Sequence, residues 1–214
     1  MKLYNVFLSP FAARCRIQIY AKNLPIELVD PPGGLHSASY DAITPIGKVP
    51  CLDADGFVLP ESELICEYLE DLFPEPSLRP ASPEDRARTR LVSRLCDLYL
   101  NPPMSVLFGQ LNPNSRDENL ASEKAKEVRM ALALLDHYVE SDGLVVGNKL
   151  SLGDCALMPM LFFVVTLGAP MGLGATPLGE YPNLAAAWAH AGNDTILSKV
   201  AHEMGAALAK MQRG

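Results

Sequence analysis

Apolar and polar positions alternate in short runs over the first third of the chain and recur at helical spacing over the rest. Leu3, Val6, Phe7 and Leu8 give strand character to Lys2–Leu8. Ile17, Ile19 and Tyr20 then mark one face of a helix near Ala12–Lys22, ended by Asn23-Leu24-Pro25. Strands are predicted near Ile26–Val29, Val49–Asp53 and Phe57–Leu59, with a variable loop between the first two and a helix from Ser62. Phe73 to Pro83 contains four prolines and no apolar period, the pattern of a stiff linker. Beyond it the helical period returns over Glu84–Leu100, Glu118–Glu140, Leu152–Val165, Asn183–Ala191 and Asp194–Met211. The expected architecture is an α/β domain over 1–78 followed by an all-α helical domain over 84–214.

Composition narrows the function classes. The chain has 214 residues, 49% hydrophobic and 20% charged, enough for a sizeable core. A formal net charge of −7 argues against nucleic acid and anionic membranes as partners. Arg14, Arg16 and Lys48 nevertheless form a local basic set that suits an anionic ligand. The five cysteines, Cys15, Cys51, Cys66, Cys96 and Cys155, have no C-x-x-C spacing. They read as buried, reduced thiols, with no disulfide frame and no metal site. The N-terminus carries no signal-peptide pattern, so a cytoplasmic location is expected. Cys155–Gly179 has no charged residue, but Pro159, Gly168, Pro170, Gly172, Gly174 and Pro177 divide it into a buried core helix and a loop, which speaks against a membrane span.

Three motifs carry candidate chemistry. Ser9-Pro10-Phe11 stands where the first strand gives way to the first helix, with Pro10 suited to the first helical turn. The Ser9 hydroxyl there is either a plain N-cap or part of an anion site. Gly47-Lys48-Val49-Pro50-Cys51-Leu52 puts a proline at a strand start, and Leu59-Pro60-Glu61-Ser62 puts an acid and a hydroxyl at a helix start. In this order, over nearly the whole chain, the sequence resembles the cytosolic glutathione transferases.

That resemblance implies a thioredoxin-like first domain with glutathione as cosubstrate. Serine-type classes such as the plant tau class share the Ser-Pro-Phe run, which assigns Ser9 as hydrogen-bond donor to the glutathione thiolate. A hydroxyl at this position excludes thiol-disulfide exchange through it, unlike the cysteine of omega-type members and glutaredoxins. Pro50 resembles the proline after a cis peptide bond, leaving Val49 to pair with the cysteinyl backbone of glutathione. Lys48 and His36 are candidates for its glycine carboxylate, although a solvated loop lysine describes Lys48 nearly as well and a plain surface histidine describes His36 better. Ser62 and the helix start would receive the γ-glutamyl carboxylate, and Glu61 its ammonium. Phe11 would line the site, joined by Tyr99, Met104, Leu107 and Phe108 around a hydrophobic electrophile between the domains. Asn101-Pro102-Pro103-Met104 is expected to interrupt the helices beside that cleft.

A glutathione transferase acting on a hydrophobic electrophile is the expected function. A zeta-like cis–trans isomerase of maleyl-type diacids and a non-enzymatic glutathione-binding protein are the alternatives. Ser9-Pro10-Phe11 and Glu61-Ser62 depart from the Ser-Ser-Cys run and Gln-Ser pair usual in zeta members. The family's habit implies a homodimer, with Glu63 and Glu67 facing Arg86, Arg90 and Arg94 as candidate contacts. Ser151-Leu152-Gly153-Asp154 reads as a structural capping box, and Trp188 after Tyr181-Pro182 as a packing anchor.

Overall fold

β1 (Lys2–Tyr4), β2 (Glu27–Val29), β3 (Cys51–Ala54) and β4 (Phe57–Pro60) form one sheet of order β2-β1-β3-β4 in the computed structural model, which describes Met1–Arg213. β1 and β2 are parallel, joined through α1 (Pro10–Ala21), while β3 runs antiparallel to both β1 and β4. The β3–β4 hairpin turns at Asp55 and Gly56, both at positive φ (56° and 98°), and the Gly56 N–H bonds Asp53 Oδ1 at 2.8 Å.

The first strand is shorter than its apolar run suggests. The bond from the Asn5 N–H to the Val29 carbonyl (2.8 Å) is the last rung of its pairing with β2, and beyond it Asn5 Oδ1 takes Arg16 Nη1 at 2.6 Å as the chain leaves the sheet. α1 in turn is buried from Ala12 to Ile19, on every face rather than one. Arg14 and Arg16 are therefore 2% and 0% exposed, and the expected basic surface patch does not form. The Gln18 amide on α1 is partnered on its nitrogen side, Nε2 donating to the Cys66 carbonyl (2.9 Å) and to Glu70 Oε1 (3.0 Å), while its buried Oε1 accepts no bond among the described residues.

A short helix, α2 (Ala38–Asp41), interrupts the expected loop; the Ser37 hydroxyl caps it through the Tyr40 N–H. α3 (Ser62–Leu72) follows β4. After it, the proline-rich segment is partly folded back. Lys22 Nζ donates to the carbonyls of Phe73 (2.8 Å) and Pro76 (2.6 Å), Glu70 accepts the Leu78 N–H (3.1 Å), and Arg79 pairs with Glu67 and Asp71.

Packing divides the chain into two units, Met1–Arg79 with the segment from Thr195, and Pro80–Asp194. The last helix, α9 (Thr195–Met211), thus groups with the sheet, although its sequence continues the helical region. Glu203 on α9 accepts from Arg16 Nε (3.1 Å) and the Tyr20 hydroxyl (2.9 Å).

The second unit is all helical. It contains α4 (Pro83–Leu95), a π-helical turn (Cys96–Leu100), α5 (Asn101–Gly109), α6 (Glu118–Tyr138), α7 (Leu152–Leu167) and α8 (Pro182–Asn193). The two prolines after Asn101 do not interrupt the helix as expected. They occupy the first turn of α5, where missing N–H groups leave no bond unmade, and the wide turn before them takes up the change. α7 is buried along most of its length with Pro159 inside it. Asp154 fastens its start, accepting from the Ser151 N–H (2.8 Å), the Ser151 hydroxyl (2.7 Å) and the Val145 N–H (2.8 Å). Among the described residues no helix is long and apolar enough to cross a membrane. All five cysteines are buried and outside disulfides.

Candidate functional site

Strand register brings the candidate residues to one end of the sheet. Tyr4 lies opposite Val29 of β2 and Cys51 of β3, and Cys51 lies opposite Pro60 of β4. From that row of four residues leave, or enter, the segments holding His36, Ser9, Val49-Pro50 and Glu61-Ser62. Ligands of open α/β sheets bind beyond such an edge, where loops converge and helices begin.

Ser9 is the N-cap of α1, with extended backbone (φ −66°, ψ 123°). Its Oγ accepts the Ala12 N–H at 3.2 Å, its carbonyl accepts the Ala13 N–H at 2.9 Å, and its own N–H bonds the Val6 carbonyl at 2.9 Å. The hydroxyl proton donates to no described residue. Capping uses an oxygen lone pair, so the cap and the donor role are compatible in one half-buried side chain. Phe11, also half-buried, lies two residues on, in the first turn of α1, with the Arg14 guanidinium carbon 5.8 Å from its ring centre.

The Val49–Pro50 peptide bond is cis. The β3 ladder begins only at Cys51, and the N–H and C=O of Val49 bond no described residue. Just before it, the Tyr40 hydroxyl holds the Lys48 carbonyl at 2.9 Å, and the His36 N–H holds the Gly47 carbonyl at 3.2 Å. Gly47 has φ +65°, and a Cβ there would stand 2.5 Å from His36 Nδ1, so the imidazole lies directly against this glycine. His36 and Lys48, both exposed, are thus brought together on one loop surface.

Glu61 adopts φ 73°, ψ 111°, a conformation that side chains rarely take, and is exposed. It makes no side-chain cap, so the first-turn N–H groups of α3 lack that partner and point toward the same end of the sheet. Ser62 opens the helix, 5% exposed, and its carbonyl takes the Cys15 thiol at 3.7 Å. Cys15 Sγ lies 3.9 Å from Cys66 Sγ, so sulfur packing between α1 and α3 supports the Ser62 turn. Sequence spacing alone gave Cys15 only a packing role away from the site.

Other nucleophiles and phenols at this end are withdrawn. A hydrogen bond with Cys15 and burial push the Cys66 thiol up, and burial does the same to Cys51 and to the Tyr40 phenol. Tyr4 is 5% exposed and packs edge-on against Tyr40, ring centres 5.3 Å apart. Ser9 is left as a hydroxyl with both exposure and an available proton. In the second unit, Met104 and Leu107 are buried, Phe108 packs on Phe163 with ring centres 5.0 Å apart, and Tyr99 is exposed. Among the described residues no three His, Cys, Asp or Glu side chains cluster where a metal could be held.

Arg16, expected from the sequence as part of a basic set for an anionic ligand, supports the site from within instead. It is fully buried beneath the loop that presents Ser9, donating to Asn5 Oδ1 (2.6 Å) and to the Phe7 carbonyl (2.8 Å). The signal for a buried role is its place inside an apolar helical run, Cys15-Arg16-Ile17.

Comparison with known proteins gives a consistent result. Residues 3–77 match the model for the N-terminal domain of glutathione S-transferase, and residues 95–191 that for its C-terminal domain. Maleylacetoacetate isomerase from Pseudomonas aeruginosa is 32% identical over 179 residues, 80% of this chain and 84% of that protein. The rat maleylacetoacetate isomerase is 31% identical over 170 residues, covering 74% and 76% respectively. In fold, a bacterial zeta-class maleyl pyruvate isomerase superposes with a TM-score of 0.76 at 24% identity, covering 94% of this chain and 96% of that one.

Proposed function

This chain belongs to the glutathione S-transferase family, and from that premise we propose that it is a glutathione-dependent isomerase converting a maleyl-type cis diacid to its trans form. The observation that carries this reading is the 32% identity, across most of both chains, with a maleylacetoacetate isomerase. The sequence alone favoured a transferase; the relatives put the isomerase first.

Glutathione would lie along the end of the sheet. Its γ-glutamyl carboxylate meets the open start of α3 and Ser62, its ammonium meets Glu61, and its cysteinyl backbone pairs with Val49 beside Pro50. Lys48 and His36 face its glycine carboxylate, and Phe11 flanks the sulfur. Ser9 donates its proton to the thiolate. A charge-assisted hydrogen bond contributes about 1.5–3 kcal/mol, which lowers a thiol pKa of about 8.5 by roughly one to two units. The thiolate adds to one carbon of the double bond as the π pair moves into the conjugated carbonyl. Rotation follows about the resulting single bond. The pair then returns and expels the thiolate, so glutathione is regenerated and no atom is gained or lost.

One observation favours a second reading, thiolate transfer to a hydrophobic electrophile. Arg14 and Arg16 are withdrawn into the core, which leaves fewer cations for a second carboxylate. Glutathione balance separates the two. An isomerase turns over maleylacetoacetate many times without glutathione loss; a transferase consumes one glutathione for each electrophile, with chlorodinitrobenzene as the probe. If neither compound turns over, both readings fail.

We further propose a cytoplasmic homodimer. Supporting it on the first unit are Phe57 and Leu64, 54% and 55% exposed, and on the second Met130 and Leu134, 69% and 42% exposed. Of the charges expected to pair between subunits, Glu67 is engaged by Arg79, and Arg86 donates to the carbonyls of Pro80 and Ala81. The exposed apolar side chains are the contacts proposed for the interface. Sedimentation at micromolar concentration as a monomer would contradict it.

A further inference from the structure

The loop between β1 and α1 carries Ser9, and its geometry is not set by the loop alone. Asn5, Val6, Phe7 and Leu8 have no strand partner beyond the single bond from the Asn5 N–H to Val29. What spans the turn from beneath is the Arg16 guanidinium, with Nη1 on Asn5 Oδ1 and Nη2 on the Phe7 carbonyl. Its carbon also lies 4.9 Å from the Phe7 ring centre. The side chain is wholly out of water, so its orientation depends on every partner it has.

The third partner comes from the far end of the chain. Arg16 Nε pairs with Glu203 Oε2 at 3.1 Å, 187 positions away, on α9. The other carboxylate oxygen, Oε1, accepts from the Tyr20 hydroxyl at 2.9 Å. Tyr20 stands one helical turn beyond Arg16, so the two donors fix both oxygens of Glu203 between them. Burial and the Glu203 carboxylate push the Tyr20 phenol up to about 12, so it remains a donor throughout the working range. The guanidinium is likewise charged at any accessible pH.

We propose that Glu203 is a positioning residue for Ser9, acting from the terminal helix through Arg16 to fix the Asn5–Phe7 turn that presents the hydroxyl. The inference rests on the proposed role of Ser9 toward the glutathione thiol. Glutathione's own anchors, Val49, Glu61 and Ser62, stand on other segments. Loss of Glu203 therefore acts on thiolate activation more than on binding.

The test is Glu203→Ala with glutathione as ligand, following thiolate absorbance against pH alongside backbone hydrogen exchange. The bound-thiol pKa is expected to rise by about one unit toward that of the free thiol. Turnover should fall about tenfold, while the glutathione dissociation constant changes less than about threefold. The Ser9 and Ala12 amides, which bond Val6 and Ser9 Oγ, should exchange faster. Tyr20→Phe frees Oε1 but leaves Oε2 on Arg16, and is expected to keep the wild-type thiol pKa. Should Glu203→Ala not fold, Glu203→Gln, which keeps an acceptor for Nε but loses the charge, is expected to give a smaller shift in the same direction. An unshifted thiol pKa in the folded variants, or an equal shift in Tyr20→Phe, overturns the positioning role. If the wild-type protein itself leaves the thiol unshifted, the proposed activity fails instead. The exchange measurement then decides: faster Ser9 and Ala12 exchange in the variant keeps the mechanical link, and unchanged exchange refutes it.

Discussion

Lys22 Nζ lies 2.9 Å from Glu70 Oε1, with the two side chains 0% and 1% exposed. Neither ion keeps contact with water, and each completes its shell on the polypeptide. Lys22 holds the carbonyls of Phe73 and Pro76, and Glu70 holds Gln18 and the Leu78 N–H. Lys22→Met leaves a buried carboxylate without its counter-ion and is expected to cost about 3–5 kcal/mol in urea unfolding at neutral pH. The double variant with Glu70→Leu should recover much of that loss; a single variant as stable as wild type would contradict it.

Ser9→Ala tests the hydroxyl twice. Loss of the cap to the Ala12 N–H should lower stability by about 0.5–2 kcal/mol. Loss of the donor should raise the bound-thiol pKa and slow turnover by one to two decades, the equivalent of about 1.5–3 kcal/mol. Titration of thiolate absorbance at saturating glutathione separates these effects. Unchanged turnover in a folded Ser9→Ala protein removes Ser9 from the mechanism.

Glu61 is held at φ 73° by its place between β4 and α3. Glu61→Gly should relieve that backbone, and stability should rise by up to about 1 kcal/mol after the extra chain entropy of glycine is offset. The same change removes the proposed partner of the γ-glutamyl ammonium. Calorimetry should therefore find a more stable protein that binds glutathione more weakly. Tighter or equal binding would exclude Glu61 from the ligand shell.

Burial lifts the Asp154 carboxyl from 3.8 to about 6, despite the bonds it accepts from Ser151 and Val145. The folded state therefore holds this proton more tightly than the unfolded chain. The associated stability is full below pH 3.8 and is lost as pH rises through about 6. Compared with Asp154→Asn, which does not titrate, wild type should lose unfolding free energy across that window. A difference between the two that is flat with pH would refute the assignment.

The local structure of the candidate site was largely legible because its signals are local. Ser9-Pro10 announces a cap and a first turn, Val49-Pro50 a strand entry, and Glu61-Ser62 a helix start, each within a few residues. Illegible parts depend on distant partners. Val6 to Leu8 have strand character, yet pairing stops after the Asn5 N–H, where Arg16 takes Asn5 Oδ1 and the Phe7 carbonyl. Arg14 and Arg16 look like surface charge until the sheet, α3 and α9 close around α1. The allegiance of α9 was equally hidden, since Glu203 meets Arg16 only in the fold. Asn101-Pro102-Pro103 misled in the opposite sense: prolines that would break a helix interior are harmless in a first turn following a π-helical one.

The row Val29, Tyr4, Cys51 and Pro60 also works as a ruler. Four adjacent strands, spaced about 4.8 Å apart, set about 14 Å between the segment leaving β2 and the one leaving β4, comparable to an extended tripeptide of about 10–11 Å with its terminal charges added. In the proposed binding mode, ligand length is gauged by sheet spacing, a dimension no side-chain substitution can alter. Were glutathione bound as proposed, a longer or shorter thiol peptide could not reach both Lys48 with His36 and Glu61 with Ser62 while keeping its sulfur at Ser9.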